Sequence, residues 1–295
     1  MQKKKLQINL LGKPEVWLDG AQLTNFSTAK TEALLYYLAM TGQVHSRESL
    51  AGLLWSDMPE AKAKRNLTKS LTVLRRLFEP FLLIEPQRVG FDPNVALTVD
   101  ALQFDTNDTT TQDTIDLYRG DFLEGFYVKD AANFEAWQLT QREHLRELAI
   151  EMLETLVEQA ITQQDYGAGI SNGRFLLALD PWRESAHRQL MLLLARSDQH
   201  AAALSQYEQC CQILDEELGV EPMADTTALW QRIQSARSLS LIHFLRSRRS
   251  SSSFSFPPSL SLLLYLILVL THSSPKRLQR VYKELLVRYI AFTYK

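Results

Sequence analysis

The sequence predicts a mostly α-helical protein with a small β component: an α+β head over residues 1–100, an all-α body over 101–236, and a low-complexity, basic tail over 237–295. Three observations predict it. The first hundred residues run from short alternating stretches through three amphipathic ones and back to a hairpin pattern, which is the element order of a winged helix-turn-helix. From residue 101 the apolar spacing reads as helical throughout, with an internal echo at about 34 residues that marks tetratricopeptide-like helix pairs. Charge divides at the same place: residues 1–80 hold 12 basic and 7 acidic groups, residues 101–236 hold 9 and 23, and residues 237–295 hold 10 and 1. A basic head on an acidic body fits a head that meets a polyanion and a body that serves another purpose.

LQINLL, PEVWLDG and QLTNF read as three short strands of a small antiparallel sheet, with turns at Gly12-Lys13-Pro14 and Asp19-Gly20. Ser27 or Thr28 caps a first helix that carries Leu34, Leu35 and Leu38 and stops at Gly42. Ser46 opens a second helix, with Leu50, Leu53 and Leu54 at helical spacing, which ends near Trp55. The third begins with Pro59 in its first turn and is stopped by Pro80. At about 100° per residue, Leu67, Leu71, Leu74 and Phe78 share one side of this helix, and Lys62, Arg65, Lys69 and Arg76 share the other. FLLIEPQRVGFDPNVALTVD then supplies two or three strands, with Pro86 to Gly90 at a hairpin tip.

The body opens with a polar linker, TNDTTTQDT, followed by DLYRGDFLEGFYV and a long run from FEAWQ to residue 164, all read as helical. In the echo, Ile170-Ser171 corresponds to Leu204-Ser205, and Ala168, Ala195, Ala201, Ala202 and Ala203 are the small residues that let helices approach. Trp137, Trp182 and Trp230 are assigned to packing, and so are Cys210 and Cys211, whose adjacency fits neither a metal site nor a disulfide framework. The thiols and the absence of a secretory signal place the chain in a reducing, cytoplasmic compartment. Leu260–Leu270 is apolar over 11 residues, short of the roughly 20 that cross a bilayer, so no membrane partner is expected.

Enzymatic chemistry finds no support. The six histidines are scattered and are read as surface residues, and the chain holds neither an H-E-x-x-H metal pair nor a G-x-S-x-G elbow. No catalytic residue, cofactor or metal is assigned. The basic stripe of the third helix carries the functional reading. Arg and Lys from a helix in the major groove bond phosphate oxygens and the acceptor edge of guanine, and Asn66 beside the stripe can pair with adenine. Taken alone the stripe fits an ordinary solvated face equally well; the sheet, helices and hairpin around it favour duplex DNA. Lys30 near the start of the first helix and Arg88 at the hairpin tip are candidate backbone-phosphate and minor-groove contacts, and an incidental surface charge is as good a reading of either.

The run STAKTEALLYYLAMTGQVHSRESLAGLLWSDMPEAKAKRNLTKSLTVLRRL resembles the DNA-binding domain of the antibiotic regulatory protein (SARP) family, itself similar to the OmpR/PhoB winged helix. LYRGDFLEGFYV and the segment from DPWRESAHRQL to EELGVEP resemble the bacterial transcriptional activator domain that follows it in that family. The likeness covers residues 5 to about 236. It implies a sequence-specific transcriptional regulator, an activator, whose recognition helix carries Lys62, Arg65, Asn66, Lys69, Thr72 and Arg76. It also implies a body that self-associates into a homodimer on repeated half-sites and contacts RNA polymerase. Unlike many long relatives, the chain holds no G-x-x-x-x-G-K-[ST] loop. The alternative is a tetratricopeptide-type scaffold that binds a peptide or protein without specific DNA recognition.

Overall fold

The computed structural model describes residues 5–236 except Asn25 and Asp108; the tail, with Leu260–Leu270, lies outside the described residues. β1 (Lys5–Asn9), β2 (Glu15–Leu18) and β3 (Ala21–Leu23) form the expected antiparallel run, with Leu6 opposite Leu18 and Val16 opposite Leu23. α1 (Ala29–Thr41) starts where the Thr28 hydroxyl accepts the Thr31 N–H, and it stops at Gly42, whose φ of 60° suits a residue without Cβ. The two-residue strand β4 (His45–Ser46) leads into α2 (Arg47–Leu54), capped by the Ser46 hydroxyl and ended at Trp55. α3 (Glu60–Phe78) has Pro59 at its N-cap, one residue ahead of the first-turn position expected. β5 (Leu82–Ile84), β6 (Arg88–Phe91) and β7 (Ala96–Val99) follow.

Besides β4, which no sequence signal marked, the strands differ from expectation in two ways. The hairpin turn is Glu85–Gln87, so Pro86 is at the tip but Gly90 is inside β6. There β6 lies between β4 and β5, and a Cβ on Gly90 would stand 3.0 Å from both the Gln43 carbonyl and Val44. Glycine serves close approach here rather than a turn. β7 also leaves the hairpin and pairs in parallel with β1, Ile8 opposite Val99, to complete a sheet of order β3-β2-β1-β7. Alternation in a short run marks a strand without marking a partner ninety residues away.

The body comprises α4 (Asp100–Asp105), α5 (Gln112–Ile115), α6 (Ala132–Gln163), α7 (Tyr166–Leu179), α8 (Glu184–Arg196) and α9 (His200–Leu218), then a helical run over 224–236. From α6 to α9 each helix packs on the next. The expectation of helix throughout fails at 116–128, where turns replace it and Leu123 and Gly125 adopt φ of 52° and 71°. Its apolar residues are anchors, not a helical face. Phe122 bridges Leu11, the Leu123 N–H donates to the Leu10 carbonyl at 2.8 Å, and the Gly12 N–H donates to the Asp121 carbonyl at 3.0 Å.

Those anchors enter the head's own core, and one hydrophobic cluster runs without interruption from Leu6 to Ala186. Residues 1–234 accordingly form one compact unit, and the change of sequence pattern near residue 100 is no break in packing. Asp100 stands at this junction, 6% exposed. Its carboxylate accepts the N–H groups of Leu10 (2.6 Å), Ala101 (2.7 Å) and Leu11 (3.2 Å) and the Arg119 guanidinium (2.9 Å). Burial raises its pKa, and these four donors oppose the shift.

A second cluster, built on Val157, Ile170, Leu190, Leu193 and Leu194, holds the far helices. Among the small residues expected to allow close packing, only Ala203 is buried; Ala201 is exposed, and Ala168 and Ala195 are half-buried. The close approach falls one residue later, at Gly169, where a Cβ would lie 2.8 Å from Leu193 Cδ2 and 3.1 Å from Ala160 Cβ. Trp137 packs edge-on against Tyr37 at 4.8 Å and Phe122 at 5.6 Å, and Trp230 stacks on Tyr207 at 5.1 Å. Trp182 departs from the packing assignment: it is 51% exposed in the turn before α8. Burial pushes the Cys210 thiol up to about 12, in keeping with a packing role.

His187 also departs from expectation, for it is buried rather than on the surface. A carbonyl can only accept, so Nε2–H donates to Pro181 O at 2.9 Å; Nδ1 accepts from the Gln206 amide at 2.7 Å. The ring is neutral and satisfied. Burial lowers its pKa, with the Pro181 hydrogen bond and Glu184 acting in the other direction. Because the depressed value is in the fold, this contribution is whole above the unfolded value of about 6.5 and is lost as pH falls below it toward the folded value. The expected result is a melting temperature that drops on acidification from pH 7.5, and drops less in His187→Gln. Identical pH profiles for the two proteins would show that His187 is not the source.

Candidate nucleic-acid interface

α3 carries two faces. Ala63, Leu67, Ser70, Leu71, Leu74 and Phe78 are buried, while Lys62, Arg65, Lys69, Thr72 and Arg76 are exposed. The exposed set recurs at spacings of 3, 4, 3 and 4, so it lies along one line of the helix. The side chains of Lys62, Arg65, Lys69 and Arg76 make no hydrogen bond or ion pair to another described residue. Every other cation of the helix is engaged. Lys64 bridges Glu48 of α2 at 3.1 Å and Glu60 of its own first turn, and the Arg75 guanidinium donates to the Ile84 carbonyl of β5 at 3.1 Å.

The buried face is held by polar bonds as well as by leucines. The Thr31 hydroxyl donates to Ser70 Oγ at 3.1 Å, and Thr28 Oγ1 lies 3.0 Å from Thr31 Oγ1, so the capped start of α1 is joined to the middle of α3. The Arg47 N–H donates to the Gln87 carbonyl at 3.1 Å, which fastens α2 to the hairpin turn. The Thr31 and Ser70 hydroxyls gave no sequence signal, since serine and threonine on an apolar stripe look like interruptions. Together with Lys64 and Arg75 they fix α3 against α1, α2 and the hairpin. A helix so anchored loses little further freedom when its outer line meets a ligand.

The other sequence-derived residues fare differently. Asn66 is half-buried, its amide donates to Met58 Sδ at 3.4 Å, and it shares with Lys69 and Lys30 a groove of about 380 Å³ between α1 and α3. The Thr72 hydroxyl donates back to the Thr68 carbonyl at 2.8 Å, leaving only its acceptor side outward. Arg88 is exposed at the first residue of β6, opposite Ser46, beside the hairpin tip. Lys30 is spent inside the protein. Its ammonium donates to the carbonyls of Leu54 and Asp130, each at 2.6 Å, and lies 5.6 Å from the centre of the Trp55 ring. Burial draws its pKa below the usual lysine value, against the pull of Asp130 and Asp57. The sequence offered no sign of this, because Asp130 stands 100 residues away.

Among the described residues, no cluster of three or more His, Cys, Asp or Glu side chains is placed to hold a metal, and no helix is long and apolar enough to cross a membrane. The geometry defines a winged helix-turn-helix with an unpaired cationic line on its third helix, continuous with an all-helical body. Residues 100–234 match the bacterial transcriptional activator domain, and the winged helix lies ahead of them in the chain. The chain is 26% identical over 249 residues to the regulatory protein AfsR of Streptomyces coelicolor, which covers 78% of this chain and 24% of that protein. It is 28% identical over 262 residues to the transcriptional regulatory protein MoaR1 of Mycobacterium tuberculosis, covering 77% of this chain and 79% of that one. The chain thus spans about a quarter of the length of AfsR. The fold is shared with Mycobacterium tuberculosis EmbR, solved in complex with a low-affinity phosphopeptide: the TM-score is 0.57 at 22% identity, over 79% of this chain and 66% of EmbR.

Proposed function

We propose that the chain is a sequence-specific DNA-binding transcriptional activator of the cytoplasm. Its head, residues 1–100, lays α3 in the major groove, where Arg65, Lys69 and Asn66 meet base edges and Lys62, Thr72 and Arg76 meet the backbone. Arg88 reaches the minor groove from the hairpin. The body, 101–236, supports a homodimer on repeated half-sites and contacts RNA polymerase. The observation that carries this reading is the set of four unpaired cations on one line of an anchored helix. Lys30, held by two carbonyls, takes a structural part in it.

Because head and body share one core, the test uses the full chain. Binding to duplex DNA is expected to fall steeply with salt, its log–log slope close to −0.9 for each phosphate neutralised, and one operator is expected to bind tighter than random duplex. Gel shifts that stay blank at low salt with both duplexes would remove the reading. The scaffold alternative has one observation in its favour, a groove of about 450 Å³ among α7, α8 and α9 lined by Arg174, Leu190, Leu194 and Gln206. It requires that blank result.

A further inference from the structure

We propose that the end of the body from Asp215 to Asp225, with Trp182, is a docking surface for a cationic amphipathic helix of a partner protein. Seven large hydrophobic side chains are conspicuously exposed among the described residues, and four of them are here: Trp182 (51%), Leu218 (57%), Val220 (50%) and Met223 (65%). They come from two segments, the turn before α8 and the end of α9 with the residues after it, which hydrogen bonds tie together. Trp182 sits in the turn before α8, and the Met223 N–H donates to the carboxylate of Glu184 in the first turn of α8 at 2.7 Å. Arg188 reaches Thr226 at 3.3 Å, which holds the following residues to the same helix. At the end of α9, Gly219 adopts φ of 64° and the Val220 N–H returns to the Leu214 carbonyl, so the helix stops there with Leu218 and Val220 both exposed.

The rim decides the occupant. Asp215, Glu216, Glu217, Glu221 and Asp225 are all exposed, and no cation stands between 215 and 225. An apolar patch of this kind marks an interaction site. Its carboxylates repel nucleic acid and anionic lipid, and a second copy of the same patch would set five carboxylates against five. A helix with one apolar stripe and a flanking row of Lys or Arg meets both features, the stripe on Trp182, Leu218, Val220 and Met223 and the cations on the rim. The surface lies on the body and owes nothing to the cationic line of α3. It gives a location to the protein contacts assigned above to the body.

The test uses the full chain and a fluorescein-labelled synthetic helix of leucine and lysine, read by anisotropy, beside a scrambled isomer of the same composition that cannot segregate its faces. The amphipathic peptide is expected to bind about tenfold or more tighter than its isomer. Leu218→Ser combined with Val220→Ser and Met223→Ser is expected to cancel that advantage, and the tryptophan emission that shifts on binding is expected to vanish in Trp182→Phe. If the triple variant melts early, Glu216→Lys with Glu217→Lys carries the test, at exposed positions and with the same expected loss. Equal binding of both peptides, or full binding to the variants, would reduce the effect to general attraction by an acidic body and overturn the proposal; so would no binding at all. Duplex binding is measured on the same proteins. Its loss in the parent chain would sink the DNA reading and leave this one standing.

Discussion

Replacing Arg65 or Lys69 with alanine is expected to weaken duplex binding by about 1–3 kcal/mol if the side chain reads a base edge. Where it neutralises a phosphate, the loss is the same for all sequences and the salt slope falls by about 1. Both side chains are exposed and unpaired, so neither substitution removes a hydrogen bond or ion pair and the melting temperature is expected to stay put. The double variant therefore separates binding from folding more cleanly than most. Lys64→Ala is the internal control: its ammonium is committed to Glu48 and Glu60, and its loss is expected to loosen α2 against α3 more than it changes the salt slope. An Arg65→Ala, Lys69→Ala protein that keeps both the affinity and the slope of the parent would take α3 out of the interface.

Leu193→Asp is expected to unfold the far helices. Leu193 is fully buried, and its methyl groups fill the space a Cβ on Gly169 would need. Truncating such a leucine to alanine costs about 2–5 kcal/mol. A carboxylate in its place adds the cost of an unpaired charge in an apolar site. The sum approaches the whole stability of a typical domain, roughly 5–15 kcal/mol. Circular dichroism at rising temperature reads the outcome, with Leu193→Ala as the graded comparison; a melting temperature unchanged in Leu193→Asp would show that the side chain is not buried.

The three helices of the head were legible in the sequence to within a residue or two, whereas β4 gave no signal. Thr28, Gly42 and Ser46 mark helix ends by bonds made within one turn, and the two stripes of α3 follow from its period. Such signals involve neighbours in the chain, so composition over a few residues suffices. The segment 116–128 misled for the same reason. Its aromatic and leucine residues have a spacing that fits a helix, yet Phe122 bridges Leu11 and Phe126 packs edge-on against Tyr36, both in the head, while Tyr118 packs against Phe104 and Phe175.

By itself the sequence determined the three helices of the head, which side of α3 is apolar, and that a basic head precedes an acidic body. The tertiary structure alone decided which charges are available. Lys30 and Lys69 look alike in the chain, but one lies within reach of two carbonyls, the nearer in sequence 24 residues off and the farther 100, and the other faces outward. It also decided that β7 joins β1, that Gly169 rather than Ala168 meets its neighbour, that His187 is buried and that Trp182 is not. The reason is common to all of these: periodicity and capping are written into adjacent residues, whereas exposure and pairing depend on atoms that only the folded chain brings within a few ångströms.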